Sequence, residues 1–426
     1  MSKLILYCIR FALPLQPKMT YNTFTLTNGL RVIHLPASSP VVYCGYQIAA
    51  GTRNEGQEEE GLAHFCEHTT FKGTTRRRAW HILNSLESVG GDLNAFTTKE
   101  YTVYYASVLK GDVARAVDLL SDIVFHSVYP QNEIDKEVEV ICDEIESYND
   151  SPSELIFDDF ENTLFSGHPL GRSILGNEKR LHTFTTNHAL CFTRKFYRPS
   201  NAVFFLYGDV SFSRLVRLLQ RATADVSAAP ATFNQVSTPL PPYRPATIVK
   251  KKDTHQAHVL MGHPAYNLYD EQRMALYLLS NILGGPGMNS RLNVTLRERK
   301  GLVYTVESIM TAYTDTGWWG VYFGCDKADV DRCRKFVEKE LQRMVQQPLT
   351  ASQLKAAQKQ LKGQIGVACD NREAFALDFG KTWLFNKQEK HLDVLFQQID
   401  ALTPLQLQQA AAEIIAPENL TTLVYQ

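Results

Sequence analysis

The sequence predicts an α+β fold of two homologous α+β domains, each with a mixed, largely antiparallel sheet covered by helices. Three observations support this prediction. The chain has 426 residues, a length typical of two to three domains. Residues 225–247 contain five prolines and no strong periodicity, which is typical of a linker. The segments on either side of this linker repeat the same order of strands and helices after about 215 residues.

The first half begins with three predicted strands over residues 23–26, 30–35 and 41–49, and an Asn28-Gly29 turn joins the first two as a hairpin. The glycine pair Gly90-Gly91 ends a helix and begins a further strand. Period and length predict the other elements of this half. They are helices over residues 77–89, 112–125, 131–149, 153–165 and 211–224 and strands over 101–109 and 202–207.

The second half repeats this pattern. VYFGCDKADVDRCRKFV parallels YYASVLKGDVARAVDLL, which aligns Lys110 with Lys327 and Asp112 with Asp329. Further helices are predicted over residues 271–283, 327–346, 350–369 and 389–414, and a last strand over 420–425.

The resulting domains are residues 19–224 and 248–426, joined by the linker 225–247. Residues 1–18 precede them as an N-terminal extension that we expect to be disordered.

The stretch HFCEH, from His64 to His68, suggests a metal site. On a helix, His64 and His68 lie one turn apart on one face, with Glu67 beside them. Two imidazoles at this spacing can bind one Zn²⁺, and the carboxylate can work on a metal-bound water. The spacing H-x-x-E-H is an inverzincin signature. The alternative is two surface histidines near a glutamate, so a third ligand is needed to decide.

The acidic segment QNEIDKEVEVICDEIESYN, residues 131–149, can supply that ligand. Its apolar residues recur at helical spacing, and Glu137 and Glu144 both fall on the flank of the apolar stripe. We expect these two carboxylates to be half-buried, which is costly unless they are paired or bound to metal. The alternative is that they are rim residues with salt-bridge partners.

Together the two stretches resemble the pitrilysin family of zinc peptidases, which includes insulin-degrading enzyme and mitochondrial processing peptidase. In that family the third ligand follows H-x-x-E-H at a comparable distance, with another glutamate seven residues before it. Here 75 residues lie between His68 and Glu144. The resemblance implies a Zn²⁺ cofactor with His64, His68 and Glu144 as ligands. It also implies that Glu67 is the general base and that Glu137 supports a ligand.

The resemblance further implies two substrate-binding segments. The strand after Gly90-Gly91 would be the sheet edge beside the zinc, where a peptide adds as an extra strand and contacts Asn94 and Ala95. In the second half, Arg297 and Tyr304 match an arginine and a tyrosine that contact the substrate near the scissile bond and assist catalysis. From the residues alone, an ordinary interior strand, a helix-surface arginine and a strand tyrosine remain the alternatives.

We therefore predict a zinc-dependent endopeptidase that hydrolyses unstructured peptides inside a closed chamber. Larger family members carry twice as many such domains, so the resemblance implies a homodimer in which Arg297 and Tyr304 of one subunit serve the zinc of the other. The alternative is a non-catalytic or partner subunit of a processing-peptidase-like complex. Family members of that kind lack some of the zinc ligands, and none is lost here.

Composition bears on partners and compartment. The formal net charge of −1 offers no electrostatic case for binding nucleic acid or a membrane. Eight cysteines without a C-x-x-C pair are typical of free thiols in a reducing compartment, so we expect a cytoplasmic protein. Residues 1–18 are too short to span a bilayer and lack an obvious cleavage site. Export or an organelle is the alternative if they are a signal, and Met19 is an alternative start.

Overall fold

The computed structural model describes residues 19–228 and 238–426 and contains two sheets, one from each half of the chain. The predicted extension, residues 1–18, and residues 229–237 of the predicted linker lie outside the described residues. Both sheets are mixed, largely antiparallel and covered by helices. This arrangement confirms the predicted α+β fold of two homologous domains.

The first sheet has six strands, of which one neighbouring pair is parallel and the others are antiparallel. The strands are β1 (Asn22–Thr25), β2 (Arg31–Leu35), β3 (Val41–Ile48), β4 (Asp92–Thr97), β5 (Thr102–Leu109) and β6 (Ala202–Tyr207). Their order is β1-β2-β6-β3-β5-β4. Strand β4 is therefore an edge strand, with one side of its backbone unpaired within the sheet.

In the described part of the chain, the second sheet repeats the first without a counterpart of β1. Its strands are β7 (Thr247–Lys250), β8 (Ala257–Ala265), β9 (Val303–Ala312), β10 (Gly317–Cys325) and β11 (Thr421–Tyr425). The order β7-β11-β8-β10-β9 matches β2-β6-β3-β5-β4, including the parallel pair. The aligned segments Lys110–Asp112 and Lys327–Asp329 both form a 3₁₀ turn before a helix. Strand β7 begins at Thr247, the last residue of the predicted linker.

Fourteen α-helices surround the sheets in the part of the chain that the structure describes. Those of the first half are α1 (Leu62–Thr70), α2 (Ala79–Glu87), α3 (Val113–His126), α4 (Gln131–Asn149), α5 (Pro152–Leu164), α6 (Glu178–Leu181), α7 (Thr186–Phe196) and α8 (Phe212–Ala222). Those of the second half are α9 (Arg273–Gly284), α10 (Val330–Gln346), α11 (Ala351–Ala368), α12 (Arg372–Phe385), α13 (Leu392–Ala401) and α14 (Pro404–Ile414). None of these described helices combines the length and apolar content that crossing a membrane requires.

One helix from each half packs on the sheet of the other half. Helix α12 of the second half packs on β3 and β6 of the first sheet, where the rings of Phe379 and Phe205 lie 6.3 Å apart. Reciprocally, α5 of the first half packs on β8 and β11, and its Phe160 ring lies 5.5 Å from the ring of Trp318 on the neighbouring strand β10. Each half thus covers one face of the other half's sheet. Separating them would expose both of these apolar faces to water, at a cost that grows with the area.

The helices of the second half differ from the prediction at two places. Helix α12 was not expected, because its apolar residues do not form a single stripe. It lies between the first sheet and the helices of the second half, and a helix buried on several sides shows no amphipathic period. The predicted helix over residues 389–414 is two helices. Thr403 caps the second of them by accepting from the Gln406 N–H, and Pro404 occupies its first turn.

Candidate zinc site

The carboxylate of Glu55 fixes the start of α1. Its oxygens accept hydrogen bonds from the backbone N–H groups of Gly61, at 3.1 Å, and Ala63, at 2.8 Å. These are donors that a helix N-terminus leaves unpaired. Gly61 has φ +90°, and a side chain there would collide with the backbone of Gly176, 2.7 Å from an ideal Cβ. The close approach of these two glycines anchors the helix against the loop that precedes α6.

The two faces of α1 have different roles. Leu62, Phe65 and Cys66 are fully buried in the core of the first half, so Cys66 points away from the other side of the helix. His64 and His68 share that other side, with ring centroids 4.5 Å apart. This is the placement that the spacing within HFCEH predicted.

Helix α4 brings Glu144 to the two histidines. Its Oε2 lies 3.8 Å from Nε2 of His64 and 3.4 Å from Nε2 of His68. One nitrogen or oxygen atom from each of the three residues lies within 4.8 Å of the others. Within residues 19–228 and 238–426, this is the one group of three or more His, Cys, Asp or Glu side chains that could hold a metal ion. Glu144 is more open than expected, with 44 % of its side chain exposed.

Glu137 lies about two helical turns before Glu144 on α4 and orients His68. Its Oε1 lies 3.1 Å from Nδ1 of His68, and its Oε2 binds Nζ of Lys72 at 2.5 Å. Burial alone would raise the pKa of Glu137, but the bonds to His68 and Lys72 outweigh it, and the pKa is lowered. A buried carboxylate on Nδ1 directs Nε2 of the ring toward Glu144, which is the usual arrangement behind a metal-binding histidine.

The two histidines differ in protonation. Burial, reinforced by the charge of His68, lowers the pKa of His64 to about 4, so His64 is neutral near pH 7 and can act as a ligand. Burial also opposes the charge on His68, but hydrogen bonds to Glu137 and Glu144 outweigh it and raise the pKa of His68 to about 9. A metal ion bound at Nε2 of His68 therefore replaces a proton. The donor set of two imidazoles and one carboxylate fits Zn²⁺ with an open position.

Glu67 lies beside this cluster and is 7 % exposed. Burial raises its pKa, while a hydrogen bond from Thr97 acts in the opposite direction. Thr97 Oγ1 donates to Glu67 Oε2 at 2.7 Å. Thr97 is the last residue of the edge strand β4, so the open edge of the sheet lies directly at the carboxylate of Glu67.

Asn94 and Ala95 lie on that edge strand. They pair with Tyr105 and Tyr104 of β5 on one side of β4, and no described strand pairs with the other side. The Asn94 side chain is exposed and donates to Asp92 at 2.8 Å. The alternative of an interior strand with a buried Asn94 is therefore wrong. The backbone groups of the open side are available to an extended chain.

Arg297 and Tyr304 lie next to each other in the second half. Arg297 is at the end of a π-helical turn, Asn293–Glu298, and its guanidinium lies over the Tyr304 ring, 5.4 Å from the centroid. Tyr304 is at the start of the edge strand β9 and is 77 % exposed. Among the described residues, no hydrogen bond, ion pair or ring contact connects this pair with His64, His68 or Glu144.

Sequence reasoning missed three side chains that support the site, namely Glu55, Lys72 and Thr97. Each contacts its partner through the tertiary fold: Glu55 binds the start of α1, Lys72 binds Glu137, and Thr97 binds Glu67. Only Thr97 carried a usable signal, because it lies on the strand that had been assigned to the substrate. A hydroxyl at the end of that strand can reach a residue beside the edge.

The sequence of the chain matches two family models in succession. Residues 31–178 match the model described as insulinase, peptidase family M16, and residues 183–361 match the peptidase M16 inactive domain. The chain belongs to the M16 peptidase family. The expected resemblance to insulin-degrading enzyme and its relatives is thereby confirmed, and the zinc cluster lies in the part of this M16 chain that matches the insulinase model.

Curated relatives of this M16 chain are similar over nearly its whole length. A protein of Bacillus subtilis named an uncharacterized zinc protease is 30 % identical over 403 residues, which cover 94 % of this chain and 97 % of that protein. A protein of Streptomyces coelicolor with the same description is 32 % identical over 406 residues, covering 93 % of this chain and 87 % of the relative. The relatives thus support a zinc-dependent peptidase at the level of the family.

Solved structures share the M16 fold. A crystal structure of a protease from Helicobacter pylori superposes with a TM-score of 0.85 at 22 % identity and covers 96 % of this chain and 100 % of that one. A structure from Pseudomonas fluorescens, described as a peptidase M16 inactive domain, gives 0.87 at 20 % identity, with 96 % and 98 % covered. At these identities the likeness shows the fold alone.

Proposed function

We propose that this chain is a zinc endopeptidase that hydrolyses unstructured peptides inside a chamber formed by two copies. The observation that carries the proposal is the position of Glu67, which lies beside a three-ligand cluster and at the open edge of β4. This arrangement places a proton-accepting group, a metal-ligand set and a peptide-binding edge within one short region. The intact ligand set argues against a purely structural partner subunit.

The residues of the chain have separate roles in this reaction. When bound, Zn²⁺ acts as a Lewis acid and lowers the pKa of a coordinated water to about 7. Glu67 accepts the proton of the attacking water at its carboxylate and returns it to the leaving amine. Its raised pKa suits this exchange, because a general base works best when its pKa approaches the working pH. Thr97 holds Glu67 Oε2 and leaves Oε1 for the proton.

Strand β4 binds the substrate as an added strand. A peptide that pairs with the free side of Asp92–Thr97 must be extended, because the hydrogen bonds run between two backbones. The contact then depends little on the substrate's side chains. A folded protein cannot present such a segment without local unfolding, which supports a preference for flexible peptides.

The proposed homodimer accounts for Arg297 and Tyr304. Both side chains are exposed, and no contact among the described residues of one chain connects them with the zinc ligands. A cationic fork and a phenol can bind a peptide carbonyl and stabilise an oxyanion. We therefore assign them to the zinc site of a second copy, which would use the exposed start of β9 to complete the chamber.

A peptide panel tests the proposed activity. We expect the zinc-loaded protein to cleave peptides of unrelated sequence that lack structure and to leave a tightly folded protein of similar composition intact. Chelation should abolish cleavage and added Zn²⁺ should restore it, because the ligands are side chains that persist without the metal. Mass spectrometry of the products is the measurement. Cleavage that continues in full after the zinc is removed would contradict the proposal.

Mixing two inactive variants tests the proposed dimer. Glu67→Gln and Tyr304→Phe subunits, combined under conditions of exchange, should regain about one quarter of wild-type activity, since half of the dimers are mixed and each holds one intact site. If each subunit serves itself, the mixture stays inactive. The control is Glu67→Gln mixed with Glu144→Ala, where both defects lie in the zinc half and neither arrangement restores a site. A fully active monomer in light scattering would exclude the dimer.

A further inference from the structure

A cavity of about 1070 Å³ lies among α9, α11, α12 and α13 in the second half of the chain. None of the zinc-ligand residues lines it. Part of its wall is apolar, with Leu268, Phe375 and Leu395 among the contributing side chains. A volume of this order is at the upper end of the range for small-molecule sites, so a medium-sized organic molecule fits.

The charges around this cavity are unbalanced. Among the described residues that line it, four are Lys or Arg and two are Asp or Glu. Lys390 is paired with Asp378. Arg273 has no side-chain hydrogen bond or ion pair within the described part of the chain. The ammonium of Lys381 lies over the Tyr101 ring, 5.1 Å from its centroid, and the charge of Glu100 also acts on it. Among the described residues, neither of these two half-buried cations forms a hydrogen bond or ion pair with a carboxylate.

The surroundings penalise these unpaired charges. Burial lowers the pKa of Arg273 and of Lys381. For Lys381 the charge of Glu100 acts in the opposite direction, and the charge of Arg273 lowers the pKa further. The lining of the cavity thus carries more cationic than anionic side chains, and half-buried charges without a bonded partner are costly.

We propose that this cavity binds an organic anion with an apolar body. The carboxylate or phosphate head would lie between Arg273 and Lys381, and the body would pack against Leu268, Phe375 and Leu395. A charge-assisted hydrogen bond to a guanidinium is among the stronger contacts that a protein makes with such a head. The site is separate from the zinc cluster, so this proposal does not depend on peptide hydrolysis.

Calorimetric titration of the full chain with decanoate, decyl phosphate and decanol tests the proposal. We expect saturable binding of at least one of the two anions and at least tenfold weaker binding of decanol. Tighter binding of decanoate assigns a carboxylate ligand, whereas tighter binding of decyl phosphate assigns a phosphate. Binding of neither anion, or equal binding of decanol and the anions, would overturn the proposal.

Variants place the binding in this cavity. The double change Arg273→Gln with Lys381→Gln should weaken binding of the anion at least about tenfold, because both contacts to its head are lost. Lys359→Gln, an exposed change on α11 outside the cavity, is the matched control and should bind as the wild type does. Val394→Trp fills part of the cavity without removing a charge, and it should also weaken binding of the anion. This variant tests the assignment if the double variant does not fold. Undiminished affinity in a folded cavity variant would refute the assignment.

Discussion

Replacing Glu67 by Gln is expected to retain zinc and peptide binding and to lower turnover by about 10²–10⁴-fold, the usual effect of losing a general base. The amide has nearly the shape of the carboxylate and can still accept the hydrogen bond from Thr97 at its oxygen. It cannot take up a proton from water at neutral pH. Steady-state cleavage of an unstructured peptide, with the zinc content measured on the same sample, distinguishes loss of chemistry from loss of metal.

The matched control for this variant is Glu87→Gln, an exposed glutamate of α2 that makes the same chemical change away from the cluster. It should cleave peptide at the wild-type rate. Thr97→Val should give an intermediate loss with full zinc, because Glu67 keeps its proton-accepting group but loses the hydroxyl that orients it. A Glu67→Gln protein that turns over at a rate near that of the wild type would show that the proposed base is wrong.

The second large effect concerns the metal. The purified wild-type chain should hold about one Zn²⁺ per subunit, and His64→Ala, His68→Ala or Glu144→Ala should each leave it largely empty, because two protein ligands rarely hold a catalytic zinc. Glu137→Ala should keep a site with affinity weaker by about 10–100-fold, since Glu137 orients His68 without being a ligand itself. Elemental analysis after dialysis against a weak chelator measures all four variants.

Glu146→Ala is the matched control for the acidic helix, because Glu146 is an exposed glutamate on α4 two residues from Glu144. Its zinc content should equal that of the wild type. The zinc content of Glu144→Ala should differ from that of Glu146→Ala because Glu144 lies at the two histidines. Its Oε2 is 3.8 Å from Nε2 of His64 and 3.4 Å from Nε2 of His68. Full zinc in the Glu144→Ala protein would remove Glu144 from the ligand set, and the third ligand would then have to come from elsewhere.

Much of the candidate site could be predicted because its key relations are local. The spacing within HFCEH places His64 and His68 on one side of α1 for any regular helix, and the same holds for Glu137 and Glu144 on α4. Other acidic residues of α4, Glu139, Asp143 and Glu146, are exposed. Exposure of Glu144 was underestimated, because the apolar stripe indicates only which flank a residue occupies and not what covers it.

The side chains that support the site could not be predicted in this way. Thr97 lies 30 residues from Glu67 along the chain, and Lys72 lies 65 residues from Glu137. Their contacts arise because β4, α1 and α4 pack together, and no short-range pattern encodes that packing. For Arg297 and Tyr304, the pair itself was predicted from the sequence. Only the fold shows that, among the described residues, no contact connects the pair with the zinc ligands.

By itself, the sequence determined the α+β class, the repeat of two domains, the H-x-x-E-H helix and the acidic helix that faces it, because hydrophobic period and residue spacing act over a few turns. Only the tertiary structure decided that α12 and α5 cross between the halves and that β4 is open at the carboxylate of Glu67. It also decided that Arg273 and Lys381 face one cavity. These features depend on contacts between segments that are far apart in the sequence. Burial of apolar area favours such contacts but leaves no local sequence pattern that predicts them.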